Sequence, residues 1–442
     1  MVDDPKDPNP PPPPARSLIS GLLYLGQFVD HDLSLDRTPL ARAGDVKPED
    51  RINYRSPTLD LDSMYGGGPN VSPCLYYLPV KRASGPPVSP GQERFLIGTT
   101  SPSQQRRDLP RTVAGRPVIA DSRNEENLIL AQLHVLMLQF HNSVIAALED
   151  GEIDAVGLGG TLFAKAQRLV TWHYQYIVLH EFLDQLLDRN IFSYALAQSG
   201  PLSGVPIEFA LAGFRVGHSM IRNNYKINDS HESVPLEQLL NLNSMGSPPL
   251  GVLPDDWIID WGRFFDGFPL LPVQKNRSHG LDPRIAKALH KLNFGTPLDI
   301  ANSVQLYSLP AITLVRGARS GLPSGQGVAK QLPPEFNQQP LTDEEMAFEQ
   351  TPETLALLQR CGFMNDTPLW FYVLQEAASK TKKQGLGPVG SWLIASTIIG
   401  LLKADNDSIL KAGLGWEPPI WKSRGTAVKT MGDVVKVAFG WP

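Results

Sequence analysis

The chain has 442 residues, of which 42% are hydrophobic and 19% charged, so its composition is that of a globular protein and excludes a disordered one. Its 38 glycines and 40 prolines predict much irregular chain and exclude a repeat array or a coiled coil. The net charge of −5 excludes a broad basic surface for nucleic acid, and the two cysteines, Cys74 and Cys361, exclude a disulfide framework.

The N-terminal segment combines acidic residues with a run of prolines, MVDDPKDPNPPPPPAR. It favours a polyproline arm over 1–15, as a solvated tail or as a ligand for a partner domain, ahead of one domain over 16–442. It has no basic start or apolar core of a signal peptide, and the apolar run at 392–402 is too short for a transmembrane segment. We therefore expect a soluble protein, cytoplasmic by default, with non-classical secretion as the alternative. The sequence does not indicate an oligomeric state.

The sequence pattern predicts one mainly α-helical domain of packed helices with long loops and little β-structure. A short helix is expected at 17–30, and the Pro-, Gly- and Ser-rich stretch at 37–117 should be mostly loop. A loop region of this length usually needs a metal or a cofactor to fix it. Apolar residues at helical spacing predict further helices at 123–148, 161–188, 206–222, 282–292, 297–310, 342–360 and 388–403.

The first motif that could carry chemistry is GQFVDHDLSLD, residues 26–36. Gln27 and His31 are four residues apart and share a helix face, whereas Asp30 and Asp32 flank His31 and point to other sides. The motif is compatible with a plain polar helix end. A zinc or iron hydrolase site is the alternative, but no second His-rich motif with ligand spacing follows.

The second motif, SPTLDLDSMYGGG, alternates oxygen-bearing side chains. Ser56, Thr58, Asp60 and Asp62 suit a hard cation such as Ca²⁺, which takes six to eight oxygen ligands. The glycine and the distal glutamate of an EF-hand are not at the required offsets. An Asp- and Ser-rich turn without a metal remains the alternative.

The third motif, ADSRNEENL, precedes the long helix predicted at 123–148. Asp121 or Ser122 can cap that helix, and Glu125 and Glu126 favour its positive end. Arg123 is a cation at the same end, where the helix dipole disfavours it, so it indicates an anionic partner or a charge that develops in a reaction.

The fourth motif, FRVGHSMI, places His218 on an otherwise apolar helix. A histidine in this setting is compatible with a core residue whose ring is satisfied by hydrogen bonds. The alternative is an iron ligand, with Gly217 allowing a flat cofactor to approach the helix.

The order and spacing of the four motifs resemble the peroxidase–cyclooxygenase superfamily, and within it the animal-type haem peroxidases. Two further stretches, LPAITLVRGARSGLP and GLGPVGSWLIASTIIGLL, resemble that family's chain behind the proximal histidine and a late core helix. The resemblance runs from about residue 15 to about residue 440. Without the cysteine framework of the secreted animal members, the chain looks like a bacterial-type branch.

The resemblance implies a role for each motif residue. His218 would be the proximal ligand to the iron of haem b, and His31 and Arg123 would act on peroxide on the distal side. The other implied sites are Gln27 in the distal pocket, Asp30 and Glu126 as ester links to haem methyl groups, Arg215 and Arg316 at a haem propionate, Thr313 beside the proximal histidine, and Asp32 with Ser56, Thr58, Asp60 and Asp62 around one Ca²⁺.

These residue types suit the reduction of H₂O₂. An imidazole can take a proton from one peroxide oxygen and return it to the other, and a guanidinium stays charged while negative charge develops as the bond breaks. The resemblance implies a peroxidase that works through a ferryl intermediate and oxidises halides, pseudohalides or small phenolic donors.

Two departures from the family pattern bear on reactivity. Thr313 stands where an asparagine commonly hydrogen-bonds the proximal histidine, which puts the tuning of the iron in doubt. Asn127 stands where a methionine forms a sulfonium link in the strongest chloride oxidiser. Oxidation of bromide, iodide, thiocyanate or phenols is therefore expected in preference to chlorination.

Two other functions stay open. One is a fatty-acid oxygenase of the same superfamily, which uses a tyrosine radical three residues before the proximal histidine. Arg215 occupies that position here, although Tyr174, Tyr176 or Tyr225 could substitute. The other is a non-catalytic adhesion module, which the joint presence of the motif histidines and Arg123 disfavours.

Overall fold

The computed structural model describes residues 17–47, 50–77, 93–154, 157–246, 249–268, 274–292, 298–300, 304–412 and 415–441. The arm predicted over 1–15 lies outside them. The α-helices are α1 Ser20–Leu33, α2 Asp62–Tyr65, α3 Gly68–Val71, α4 Leu128–Glu149, α5 Leu162–Ile177, α6 Asp184–Leu186, α7 Arg189–Gln198, α8 Gly217–Met220, α9 Leu236–Asn241, α10 Leu309–Arg319, α11 Gly325–Ala329, α12 Asp343–Ala347, α13 Pro352–Arg360, α14 Leu369–Lys380, α15 Pro388–Ala404 and α16 Met431–Phe439.

The described chain also contains shorter helical turns and three small hairpins. The hairpins are antiparallel: β1 Asn224–Tyr225 with β2 Val234–Pro235, β3 Leu298–Ile300 with β4 Val304–Leu306, and β5 Ile420–Trp421 with β6 Thr426–Ala427. The 3₁₀ turns are Leu40–Arg42, Pro73–Leu75, Ser122–Glu125, Phe214–Val216, Asp255–Trp257, Trp261–Arg263, Lys287–His290 and Pro334–Phe336, and the π turns are Val178–Leu183 and Phe209–Gly213. The predicted fold class, mainly α with little β, is confirmed.

Helix α4 lies at the centre of the core, where it packs against α1, α5 and α16. Asn127 caps its start by accepting a hydrogen bond from the backbone N–H of Leu130 at 2.9 Å. In the described part of the chain, α4 alone is long and apolar enough to cross a membrane. However, 83% of its most apolar window is buried inside the protein, as in the core helix of a globular domain.

Two predicted helices are wrong. The described residues within 297–310 form β3 and β4, and helix α10 begins only at Leu309, with Pro310 in its first turn. Residues 282–292 contain only the turn Lys287–His290. There the Asp282 carboxylate accepts a hydrogen bond from the backbone N–H of Arg284 at 2.9 Å, a local turn that competes with a helix.

Three other predicted helices are interrupted. A π turn separates α5 from α6, and the stretch predicted at 206–222 passes from a π turn through a 3₁₀ turn to α8. The stretch at 342–360 divides into α12 and α13, because Thr351 caps a new helix and Pro352 has no N–H with which to continue the old one. Irregular helical turns of this kind are frequent at functional sites.

Helices α14 and α15 are joined by a buried carboxylate. Glu376 is fully buried, and its Oε2 accepts hydrogen bonds from the first N–H groups of α15, those of Val389 at 2.9 Å and Gly390 at 3.4 Å. Gly387 makes room for it, because a Cβ there would lie 2.4 Å from Glu376 Cγ. Burial raises the pKa of Glu376 from its ordinary value of 4.5 to about 8.

We expect the Glu376→Gln variant to be more stable than the parent at pH 8 and to lose this advantage at pH 4.5. The native carboxyl keeps its proton up to about pH 8, while the unfolded chain releases it near 4.5, so raising the pH between these values lowers the free energy of unfolding. Glutamine keeps the acceptor and has no proton to lose. The expected gain at pH 8 is about 1–3 kcal/mol.

Urea denaturation at the two pH values measures this difference. Glu237→Gln, which alters an exposed glutamate at the start of α9, is the matched control and should change neither value. If Glu376→Gln is no more stable than the parent at pH 8, the proton held by Glu376 does not limit stability.

Candidate functional site

Helix α1 has a buried surface with one polar stripe. Every residue from Ser20 to Leu33 is buried except Gln27 and Asp30, which are half-buried. At 100° per residue, these two share one side of the helix with His31, whereas Asp32 is turned away from them. The helix therefore presents two sets of polar groups to two different neighbours.

The turn at 121–126 lies against the His31 side of α1. It is held at its start by Asp121, whose carboxylate accepts a hydrogen bond from the backbone N–H of Arg123 at 3.0 Å. Arg123 Nη2 donates to the carbonyl of His31 at 2.8 Å, and Asn124 Oδ1 lies 2.9 Å from His31 Nδ1. Glu126 Oε2 lies 3.8 Å from His31 Nε2. One turn thus approaches His31 at three of its atoms.

Glu126 lies on the solvent-exposed side of this group of residues. Its side chain is 49% exposed, although it lies beside the buried ring of His31. It accepts a hydrogen bond from Gln27 Nε2 at 3.1 Å, and Gln27 Oε1 accepts one from Asn127 Nδ2 at 3.3 Å. The structure therefore brings Gln27, His31 and Arg123, the distal residues predicted from the sequence, close to the exposed side chain of Glu126. This exposed edge is the opening of the site.

Arg123 is held by protein groups on both sides of its guanidinium. Nη1 donates to the carbonyl of Ser34 at 2.7 Å, and Nη2 pairs with Asp121 at 2.7 Å. Asp121 is also paired with Arg55 Nη2 at 2.8 Å. Burial raises the pKa of Asp121, but the two guanidinium groups outweigh that effect and hold the pKa below its ordinary value. The carboxylate therefore stays charged and keeps Arg123 in place.

His218 approaches α1 from the irregular stretch that ends in α8. A Cβ on the preceding residue, Gly217, would lie 3.5 Å from the side chain of Leu23, so this backbone comes close to α1. The His218 ring is half-buried and lies edge-on to Trp370, with 6.3 Å between ring centroids. Burial and then the charge of Arg215 lower the pKa of His218 to about 3. Its imidazole is therefore neutral at physiological pH and free to bind a metal.

Two buried polar atoms near this histidine lack partners. Within the described chain, neither His218 Nδ1 nor Thr313 Oγ1 has a hydrogen-bond partner. The hydrogen bond considered for Thr313 and His218 is therefore not formed in this structure. A cavity of about 170 Å³ is lined by Thr313 and by Trp370, the residue whose ring lies edge-on to His218, among others.

A group of arginines lies beside the proximal stretch. Burial lowers the pKa of Arg215, with the nearby charges of Asp30 and Arg316 acting in opposite directions. Among the described residues no carboxylate lies within ion-pair distance of Arg215, whose Nε donates to the carbonyl of Ala210 at 3.0 Å. Arg316 lies 3.9 Å from Asp36, which is already paired with Arg51 at 2.9 Å. This region has more positive than negative charge and suits an anionic group.

On the other side of α1, three carboxylates converge. One oxygen each from Asp32, Asp60 and Asp62 lies within 4.8 Å of the others. Burial, followed by the charges of Asp60 and Asp62, raises the pKa of Asp32 well above its ordinary value. A bound cation would remove this repulsion, because it would neutralise the shared charge.

The remaining loop oxygens of this cluster lie close by. Ser56 Oγ and Thr58 Oγ1 are 2.5 Å apart, and the backbone N–H of Ser56 donates to Asp62 at 3.0 Å. Ser63 Oγ, which the sequence argument did not single out, donates to Asp32 at 3.1 Å. The loop is compatible with a hard-cation site and offers Ser63 as a further oxygen.

Arg55 connects the two sides of α1, although no local sequence pattern indicates this role. Its guanidinium lies 3.3 Å from Asp62 and 2.8 Å from Asp121. Asn124 was likewise overlooked, although it directly follows Arg123, because its partner His31 is 93 positions away. Linear spacing shows which residues share a helix face but not which distant residue they meet.

The three alternative radical tyrosines lie in different surroundings, and the buried hydroxyl of Tyr174 has no hydrogen-bond partner within the described chain. Tyr174 lies beside Asp32, and burial and then that carboxylate raise the pKa of its hydroxyl. The hydroxyl of Tyr176 lies 3.5 Å from Glu417, and that of Tyr225 accepts a hydrogen bond from the backbone N–H of Arg222 at 3.0 Å.

The chain is similar in sequence to known haem peroxidases. A family model described as animal haem peroxidase matches residues 27–332. The human peroxidasin homolog is 22% identical over 286 residues, which are 63% of this chain and 18% of that protein. The chorion peroxidase of Drosophila melanogaster is 24% identical over 235 residues, which are 50% of this chain and 27% of that protein. The chain thus spans less than a third of either relative.

Solved structures share the fold. Peroxidase A from Dictyostelium discoideum matches with a TM-score of 0.54 and 15% identity, over 96% of this chain and 84% of that one. A fatty acid alpha-dioxygenase from Arabidopsis thaliana matches with a TM-score of 0.61 and 13% identity, over 96% of this chain and 72% of that one. At these identities the likeness concerns the fold alone.

Proposed function

The chain belongs to the animal haem peroxidase family, and on that premise we propose that it binds haem b between His31 and His218 and reduces H₂O₂ at the expense of a small donor. The observation that carries this proposal is the convergence of Arg123, Asn124 and Glu126 on the buried His31. The imidazole of His31, held by these contacts beside the exposed Glu126, suits proton transfer to a bound molecule.

The residues on both sides fit a haem group. The neutral imidazole of His218 suits iron, and Gly217 keeps the backbone free of a side chain where a flat group would lie. Arg215 and Arg316 supply the positive charge that a propionate would meet. Haem, when bound, would supply the iron that exchanges electrons with peroxide and donor.

On the distal side, His31 would move the proton and Arg123 would supply charge. Nε2 of His31 would take a proton from one oxygen of H₂O₂ and return it to the other, which could then leave as water, while haem would supply the two electrons for the oxygen left behind. The Arg123 guanidinium lies on the carbonyl of the same residue, and its positive charge favours the negative charge that develops as the O–O bond breaks. Gln27 and Glu126 line the opening next to Nε2.

We expect His31→Ala to slow the reaction of the haem-loaded protein with H₂O₂ by about 10²- to 10⁴-fold, because the proton carrier is lost. Stopped-flow absorbance at the Soret band gives the rate, and the same band before mixing gives the haem content, which should not change. His231→Ala is the matched control: that histidine stacks on Trp257 at 3.8 Å between ring centroids, far from α1 in sequence. An unchanged rate in His31→Ala would reject the assigned role of His31.

The donor class follows from the residues beside the opening. Asn127 caps α4 and donates to Gln27, so this position offers a fixed amide and no sulfur for a link to the cofactor. This supports donors that are easier to oxidise than chloride, namely bromide, iodide, thiocyanate or phenols. The fold likeness to fatty-acid dioxygenases does not favour a lipid substrate, because Arg215 stands where that chemistry requires a tyrosine.

Asp30 and Glu126 are proposed to form the two ester links. Both side chains are partly exposed. Asp30 lies on the same side of α1 as Gln27 and His31, and Glu126 Oε2 lies 3.1 Å from Gln27 Nε2 and 3.8 Å from His31 Nε2. After turnover with H₂O₂, acid–acetone should therefore leave haem on the protein. The Asp30→Asn and Glu126→Gln double variant should release it, since an amide cannot form the ester. Complete release of haem from the parent protein would remove the covalent part of the proposal.

The carboxylates Asp32, Asp60 and Asp62 are proposed to hold one Ca²⁺, with Ser56 and Thr58 as further oxygens. Burial and then the charges of Asp60 and Asp62 raise the pKa of Asp32, and the repulsion among these carboxylates supports the site. Since Asp32 is adjacent to His31, a cation there would restrain the distal histidine through one peptide unit.

We expect Ca²⁺ to raise the unfolding free energy of the parent by about 2.7 kcal/mol at a hundredfold excess over its dissociation constant. Asp60→Asn should lose most of this gain, because one of the three charges is removed. Asp154→Asn, at an exposed aspartate, should keep it. Thermal unfolding with and without Ca²⁺, together with metal analysis, measures the effect. An undiminished gain in Asp60→Asn would place the cation elsewhere.

A further inference from the structure

We infer that Asn124 is a positioning residue that holds His31 with its proton on Nδ1 and keeps Nε2 free for proton transfer. The inference about the tautomer stands on the contacts of Asn124 alone, and its catalytic consequence rests on the proposed function.

Asn124 connects two buried histidines. It is fully buried, its Oδ1 lies 2.9 Å from His31 Nδ1, and its Nδ2 lies 3.0 Å from His134 Nδ1. Both rings are also almost fully buried. Because all three side chains are buried, these two contacts decide where the protons of both rings lie.

The amide has one end that only accepts and one that only donates. With Oδ1 towards His31, Nδ1 of His31 must carry a proton and donate it. With Nδ2 towards His134, Nδ1 of His134 must present a lone pair. Burial lowers the pKa of His134 to about 4, so this ring stays neutral at physiological pH and can accept.

The free nitrogen of His31 then faces the opening. Nε2 is 3.8 Å from Glu126 Oε2, which is longer than a hydrogen bond, and Glu126 already accepts from Gln27. When Nε2 gains a proton, Nδ1 still donates to Asn124, so the ring need not move during the proton cycle.

Other charged groups surround His31, and the variants below leave these residues in place, although each variant also removes the Nδ2–H of Asn124 that faces His134. Arg123 lies on its carbonyl, Glu126 faces Nε2, and Asp30 and Asp32 flank it on α1. His134 lies across Asn124 on α4. A shift that follows from changing Asn124 alone is therefore assigned to the contacts of Asn124.

Two substitutions separate positioning from packing. Asn124→Asp keeps the acceptor but adds a charge that favours the doubly protonated ring, so the acidic limb of the pH–rate profile for H₂O₂ should move up by about 1–2 pH units. Above that limb the rate should recover. Asn124→Leu fills similar space without an acceptor, and its rate should fall by about 10- to 100-fold at every pH.

The control is Asn142→Asp, the same substitution at an asparagine of α4. Asn142 holds the backbone of Phe95 through hydrogen bonds of 2.8 Å and 2.9 Å and touches no histidine of the site. This variant should lose stability without a shift of the pH profile. A purely structural role for Asn124 would make its variants behave in the same way.

The second measurement does not depend on haem. In the protein labelled with ¹⁵N-histidine, the His31 signals, assigned by their loss in His31→Ala, should show Nδ1–H in the parent and a change to Nε2–H in Asn124→Leu. The inference is overturned if the parent shows Nε2–H, if the tautomer is the same in both, or if the pH profile of Asn124→Asp does not move. If the expected tautomers are found but H₂O₂ does not react, the proposed function fails and the assignment of Asn124 stands.

Discussion

A buried carboxylate between two guanidinium groups is the contact on which the distal site depends. Asp121 is 3% exposed, caps its own turn through the N–H of Arg123, and pairs with the side chains of Arg123 and Arg55. An isolated charge at this depth would be costly, and each of the three groups is stable here only because the others are present. The turn that carries Arg123, Asn124 and Glu126 is therefore held from its first residue.

Charge alternates from the proposed cation site to the distal histidine. Asp62 pairs with Arg55, Arg55 with Asp121, and Asp121 with Arg123, which donates to the carbonyl of His31. A second, covalent connection runs through the peptide between His31 and Asp32. Because both connections end on α1, contacts through this helix join the proposed cation site to the proposed reaction site, although their residues come from distant parts of the chain.

The sequence predicted the elements whose signal is local and failed where the structure is decided by distant contacts. Helices α1, α4 and α15 follow from apolar spacing, and Gln27 and His31 were placed on one face by their separation of four residues. The convergence of Asp32 with Asp60 and Asp62 followed from family resemblance, because no spacing rule joins them. The apolar residues of the hairpin of β3 and β4 predict a helix instead, since a short apolar run is compatible with either a strand or a helix. Arg55 and Asn124 carry no local signal, because each acts only through partners far away in the sequence.

The two histidines of the site, His218 and His31, differ in the groups that surround their rings. Beside His218, burial and the charge of Arg215 disfavour a proton, so the ring stays neutral down to about pH 3 and offers a permanent lone pair. Beside His31, an amide takes one ring proton and an exposed carboxylate lies near the other nitrogen, which suits a ring that gains and loses a proton. A ligand must not titrate in the working range, whereas a proton carrier must be able to. Under the proposed function, the groups around each histidine, and not the histidines themselves, therefore suit one ring to bind iron and the other to carry a proton.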